Sequence, residues 1–280
     1  MLVAACAALI ASIACSAPPR AHDAIGTTRA RIVALMPFVA DDAYAIGAGS
    51  QLVAVSSFTD DPRARALPRI ADVSSVDAER IVGLRPDVAV GIVAQKRLVE
   101  PLRRAGIDVV LLHDDAFDDI FTNLHTVGAL SGHAAEAAAA IARLRRTTAE
   151  LRASTRTFKR TPSVFVVLGS TPIWTAGSTS YIATLIAMAG GRNAADDLHL
   201  AYGQYAAEAL LRNQPDVLVS DPAIRLDAVL GQEPWRSLRA VRLGRVYAVR
   251  PAEIIERPGP QYNDGIRWLV KRLAPIATSS

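Results

Sequence analysis

The chain has 280 residues, 51% hydrophobic and 21% charged, which is long and apolar enough for one large or two smaller cores and excludes a disordered, tail-like protein. Lys and Arg outnumber Asp and Glu by only 31 to 27. The densest basic run, Arg143 to Arg146, falls in an Ala-rich helical stretch where it reads as a solvated face, so no nucleic-acid partner is expected.

The first stretch, MLVAACAALIASIACSAPPRAH, is a short apolar run closing on Ser, Ala and two prolines. This is the pattern of an export signal over residues 1–21, too short for a membrane span, and it places the protein outside the cytoplasm. Cys6 and Cys15 are the two cysteines, so the exported chain is expected to be held by core burial and not by a disulfide. SIAC, ending at Cys15, is similar to a lipoprotein processing site, with Ser12 where an aliphatic residue is usual. Lipidation of Cys15 and plain cleavage near Ala17 or Ala21 both stay open.

From Arg31 strand and helix patterns alternate. RIVAL reads as a strand and VADDAYAIGAG as a helix stopped by glycine, with Gly47 at its C-cap; LVAVSS, DVAVGI and DVVLLH are further strands. Short strands joined by helices predict a parallel, doubly wound α/β lobe over residues 30–131. Residues 132–160 then have Ala, Leu, Arg and Glu at nearly every position and predict one long helix. A second α/β lobe, residues 161–280, begins with SVFVVLG and runs through DVLVSD and RVYAV to a last helix after Pro260.

One phrase occurs in both lobes: DAERIVGLRPDVAVGI from Asp77 and AAEALLRNQPDVLVSD from Ala206, each a Glu, a helical run, Pro-Asp and a strand, with equal Glu-to-Pro spacing. The repeat predicts that Glu79 and Glu208 stand at equivalent places, early in their helices. A helix-stabilising charge near the positive end of the macrodipole is a sufficient reason for either.

Four fragments, RIVALMPFVADDAYAIGAGSQLVAVSSFTDDP, LPRIADVSSVDAERIVGLRPDVAVG, TPIWTAGSTSYIATLIAMAGGRN and EIIERPGPQ, lie in order around the central helix. Together they resemble the helical-backbone class of substrate-binding proteins of ABC importers, which take up cobalamin, iron-siderophores and haem. The resemblance runs from Arg31 to about Pro275. It implies two lobes on one stiff helix, a ligand cleft between them, little closure on capture, and a monomer that delivers its ligand to a dimeric permease. It also implies permease docking through one acid on each lobe, here Glu79 and Glu208.

The cleft is expected at loops that follow strand ends. Candidates for ligand contact are Phe38 and Phe58 in the first lobe and Trp174, Tyr202, Tyr205, Glu253 and Arg257 in the second. Aromatic rings offer flat apolar area to a planar macrocycle, and Arg257 can pair with a carboxylate or donate to amides. Within the family the cobalamin-binding members are most similar, through SSFTDDP, an aromatic six positions before the second-lobe Glu (Tyr202), and the loop from Glu253 to Arg257. Phe58 lacks a phenolic hydroxyl, Asp61 replaces an aromatic and ADVSSVD has no tryptophan. A corrinoid is the first choice of ligand, then an iron-siderophore or haem. For haem, Tyr44, Tyr181, Tyr202, Tyr205 and Met188 are possible axial ligands that no motif distinguishes.

The five histidines, His22, His113, His125, His133 and His199, are scattered and predict no bare-metal site; no resident cofactor is expected. No G-x-S-x-G elbow, Walker loop, H-E-x-x-H or strand-following G-x-G-x-x-G is present, so an enzyme is not expected. The acid pairs Asp41-Asp42, Asp60-Asp61, Asp114-Asp115 and Asp118-Asp119 read as caps and solvated turns. The alternatives are an exported doubly wound enzyme without a visible motif and a sensory binding protein.

Overall fold

In the computed structural model, which describes residues 30–279, the first lobe is built from β1 (Ile32–Ala34), α1 (Pro37–Ala45), β2 (Leu52–Ser56), β3 (Arg69–Ala71), α2 (Ala78–Gly83), β4 (Val88–Ile92), α3 (Glu100–Arg104) and β5 (Asp108–Leu112). Cys15 and the export segment lie outside the described residues. The five strands form a parallel sheet in the order β3-β2-β1-β4-β5. Its central strands read as continuous apolar runs because both faces are covered: Ile32 and Ala34 enter one core, Val33 and Leu35 the opposite one.

The chain then forms α4 (Asp119–Ser131) and α5 (Ala134–Ser154). The second lobe comprises β6 (Ser163–Ser170), β7 (Ile173–Ala176), α6 (Tyr181–Met188), β8 (Arg192–Asn193), β9 (Tyr202–Gln204), α7 (Ala207–Asn213), β10 (Val217–Ser220), α8 (Arg239–Arg242), β11 (Val246–Ala248), α9 (Glu253–Glu256) and α10 (Tyr262–Ala277). Its sheet runs β11-β10-β6-β7-β9, with β8 beside β6. β6 divides its side chains as β1 does, Val164 and Val166 to one core and Phe165 and Val167 to the other.

The second sheet has a feature that the strand patterns left open, being mixed: β7 runs antiparallel to β6 and to β9. β6 and β7 are joined through Thr171-Pro172 alone, a connection that suits a hairpin and is far too short for a parallel crossover. The connecting helix is shorter than the expected 132–160 and does not act alone. It ends at Ser154, a length of about 31 Å at 1.5 Å per residue, and α4 and α10 brace it.

The bracing is specific. Ile120 and Phe121 of α4 belong to the second lobe's core, whereas Leu124 and Val127 belong to the first lobe's. At the α4–α5 corner a Cβ on Gly128 would stand 2.5 Å from that of Ala137, so only glycine permits this approach. Against α10, the buried Thr148 hydroxyl lies 2.6 Å from the Tyr262 hydroxyl and donates to Asn263 Oδ1, while Asn263 Nδ2 donates to the Leu144 carbonyl.

The repeated phrase has a local structural meaning. In both copies the residue before Pro takes a left-handed backbone, Arg85 at φ 48° and Gln214 at φ 39°. The next Asp then turns back onto the start of the neighbouring central strand. Asp87 Oδ2 accepts from the Arg31 amide at 2.6 Å, and Asp216 Oδ2 from the Ser163 amide at 2.9 Å. Two guanidiniums, Arg160 and Arg239, also donate to Asp216.

Candidate ligand cleft and docking acids

A cleft of about 530 Å³ opens between the lobes. The first lobe contributes Met36, Pro37 and Phe38 from the end of β1 and the head of α1, and Phe58 and Asp60 from the loop after β2. Arg69 holds that loop by donating to the Ser56 and Thr59 carbonyls. The second lobe contributes Tyr202, Asp221, Ala252, Glu256, Arg257 and Pro258. Asp114 and Asp115 come from the segment between β5 and α4.

Tyr202 reaches the cleft because β9 lies along the edge of β7. At Gly177 a Cβ would meet the Leu198 and Leu200 carbonyls at 2.3 and 2.2 Å, so the absent side chain lets that incoming chain lie against it. Ser180, the N-cap of α6, accepts from the Ala183 amide and keeps the same turn in place. Burial pushes the Tyr202 phenol up to about 12, and Asp114, Asp115 and Glu256 add to the shift. The hydroxyl is therefore protonated and able to donate at neutral pH.

Arg257 joins the lobes. Its Nη1 donates to Asp41 Oδ2 at 3.0 Å and to Asp60 Oδ1 at 3.1 Å, and its Nη2 to the Phe58 carbonyl at 3.3 Å. Burial raises the Asp41 carboxyl to about 6, against the lowering pull of Arg257. Asp42, the next residue, is buried and has no protein hydrogen-bond partner for either oxygen; burial first and Asp41 second hold its pKa well above the carboxylate range.

The candidate residues thus divide. Phe38, Phe58, Tyr202 and Arg257 come together in the cleft lining. Trp174 is exposed beside it: β7 pairs Trp174 with Gln204 and Ala176 with Tyr202, so Trp174 and Tyr202 are diagonal neighbours on one sheet face. Tyr205 is brought elsewhere. It packs on Phe165 in the second-lobe core, donates to Asp197 at 2.7 Å and accepts from Asn213 at 2.7 Å, because it lies an odd number of residues from Tyr202 along an extended segment. Glu253 opens α9, and its side chain lies outside the described residues.

The acid pairs depart most from the sequence reading. Asp61 is a cap, accepting from the Arg63 amide, but Asp41 pairs across the lobes, Asp42 is buried, and Asp60, Asp114 and Asp115 line the cleft. Their position, directly after strands or at the head of the helix that follows one, was the usable clue; residue type was not. Asp221 after β10 belongs to the same set.

Glu79 and Glu208 each occupy the second position of a short helix, α2 and α7, one on each lobe, and both are exposed. Neither takes part in an ion pair among the described residues.

Two α/β lobes on a braced helix, a cleft lined from both sides and matched surface acids define a bilobal ligand-binding protein. Residues 32–253 match the family model described as periplasmic binding protein, and the chain belongs to that family. It is 25% identical over 254 residues to an ABC transporter substrate-binding lipoprotein, YvrC, of Bacillus subtilis, covering 88% of this chain and 80% of the relative. The crystal structure of the periplasmic vitamin B12 binding protein of Vibrio cholerae is similar with a TM-score of 0.76 and 27% identity, covering 90% of this chain and 99% of the other. The fold is shared as well with the periplasmic heme-binding protein RhuT of Roseiflexus sp. RS-1, with a TM-score of 0.81 at 24% identity over 89% of this chain and 100% of that one.

Proposed function

We propose that this protein captures a metal chelate outside the cytoplasm, a corrinoid such as cobalamin before an iron-siderophore or haem, and delivers it to an ABC transporter permease. The observation that carries this reading is the cleft of about 530 Å³ to which the two lobes bring aromatic side chains, Phe38 and Phe58 from one and Tyr202 from the other. Flat rings on both walls suit a large, partly apolar ligand, and Tyr202 adds a hydroxyl donor for a carbonyl on its rim. The likeness to a vitamin B12 binding protein over most of both chains supports the order of ligands.

The protein works as a monomer without catalysis or a resident cofactor. Glu79 and Glu208 dock the permease by pairing with its cations; exposed charges far apart on two lobes set orientation more than affinity. Processing at Cys15 with lipidation, or plain cleavage near Ala17 or Ala21, leaves it in the periplasm or at the outer face of the cytoplasmic membrane.

The test is titration of the purified protein with cyanocobalamin, followed by calorimetry and tryptophan fluorescence. Saturable binding at one ligand per chain, with quenching lost in Trp174→Phe, is the expected result. Absence of binding to cyanocobalamin, haemin and ferric siderophores alike would remove the chelate reading.

A further inference from the structure

Resting on the chelate reading above, we infer that the cleft selects its ligand by charge: it accepts chelates that are neutral or cationic and refuses those that present carboxylates or catecholate oxygens to its walls.

The argument begins with Arg257, the one cation among the described residues lining the cleft. Its guanidinium is already shared between two carboxylates, Asp41 and Asp60, and the Phe58 carbonyl. An anionic ligand group arriving there would have to displace an acid from the other lobe. Beyond this bridge the lining carries Asp114, Asp115 and Asp221.

The backbone that carries Asp114 and Asp115 is pinned on both sides. Asn123 Nδ2 donates to the His113 carbonyl at 2.7 Å, and Asp119 Oδ2 accepts from the Ala116 amide at 2.9 Å. Phe117 then stands edge-on to Tyr262, with ring centroids 5.0 Å apart, in the second lobe's core. Carboxylates at the mouth of a partly desolvated cleft repel a like charge more strongly than the same groups in water.

Tyr202, the tyrosine in the lining, shares it with Asp114, Asp115 and Glu256, so a haem ligated there would bring its propionates toward carboxylates. The guanidiniums around the cleft are engaged or set back from it: Arg63 lines a recess that meets the cleft at Asp60 and is paired with Asp61, Arg69 donates to the Ser56 and Thr59 carbonyls, and Arg225 and Arg250 line a recess that meets it at Asp221, with Arg225 paired with Asp227.

The probes are cyanocobalamin (neutral overall, amide-rimmed), ferrioxamine B (cationic), haemin (two propionates) and a ferric tris-catecholate (anionic), each titrated at one fixed ionic strength. The expected result is that the wild-type protein binds a neutral or cationic probe at least 100-fold more tightly than either anionic one. Asp114→Asn with Asp115→Asn narrows that gap at least tenfold by tightening the anionic probes. Should the double variant fold poorly, Asp115→Asn alone, at an exposed position, is expected to narrow it about threefold.

Stoichiometric binding of haemin or the tris-catecholate to wild type as tightly as the neutral or cationic probes overturns the charge filter, as does a gap that neither variant moves. Failure of all four probes is a different outcome: it removes the chelate reading itself, and the filter with it.

Discussion

Arg257 and Asp41 are 216 residues apart in sequence, and Arg257 Nη1 lies 3.0 Å from Asp41 Oδ2. The pair ties the loop after α9 to helix α1 of the other lobe, and its two side chains are only 16% and 14% exposed. One guanidinium therefore fixes how far apart the cleft walls stand.

The burial of Asp41, which outweighs this pairing, gives a pH dependence with a definite sign. Asp41 titrates at about 6 in the folded protein because of burial, against an ordinary 3.8, so folding takes up a proton between those values. Its contribution to stability is fully present below about pH 4 and is lost as pH rises through 6, to a ceiling of about 3 kcal/mol. Asp114, raised to about 6 by burial and its acidic neighbours, acts in the same direction. The thermal midpoint should rise from pH 7.5 to pH 5, less so in Asp41→Asn. A slope unaltered by Asp41→Asn would show that the carboxyl titrates elsewhere.

The two Pro-Asp clamps should differ in strength. For Asp216, burial pushes the pKa up, but the Ser163 amide and Arg160 and Arg239 outweigh it and leave the carboxyl below its ordinary range. Removing so enclosed a partner leaves the buried Ser163 amide and hydroxyl without their acceptor and frees two partly solvated guanidiniums, so Asp216→Ala is expected to cost about 2–3 kcal/mol. Asp87 is exposed, and Asp87→Ala should cost about 1 kcal/mol. Urea denaturation of both variants measures the difference; equal losses would contradict the burial argument.

Tyr202 and Tyr205, three positions apart, should separate binding from stability. Tyr205→Phe removes two hydrogen bonds from the core and is expected to lower stability by about 1–2 kcal/mol while leaving cyanocobalamin affinity within about twofold. Tyr202→Ala should do the reverse, weakening the ligand about tenfold or more for the loss of a ring and a donor, with little change in melting. Calorimetry and thermal melts on the same preparations read both quantities, and an exchange of the two phenotypes would return Tyr205 to the cleft.

Replacement of Glu79 and Glu208 together by Ala should leave ligand affinity intact and reduce uptake in reconstituted vesicles at least tenfold. The stability change should stay near 1 kcal/mol, since each acid contributes only a helix-end interaction of about 0.5 kcal/mol. Loss of ligand binding in this variant would mean that these acids serve the cleft.

Much of the architecture was present in the order of residues. Continuous apolar runs such as RIVAL and SVFVV identify central strands because a side chain on each face must find a core, and the repeated Glu-helix-Pro-Asp-strand phrase placed Glu79 and Glu208 on matching helices. Gly47, read as a C-cap, does adopt a positive φ of 84°. β3 and β9, at three residues each, were not legible, since such short edge strands are defined by the neighbour they pair with and carry almost no pattern.

The site was decided in three dimensions. Sequence alone fixed which residues were chemically able to meet a chelate, the aromatics and Arg257 among them, because that depends on side-chain type and on position after a strand. Whether an acid pair is a solvated turn, a lobe-to-lobe partner or a cleft wall depends on which distant segment lies opposite it. Asp41, Asp60 and Arg257 became one cluster only when the braced helix set the two lobes face to face, and long-range electrostatics of that kind leaves no local periodicity to read.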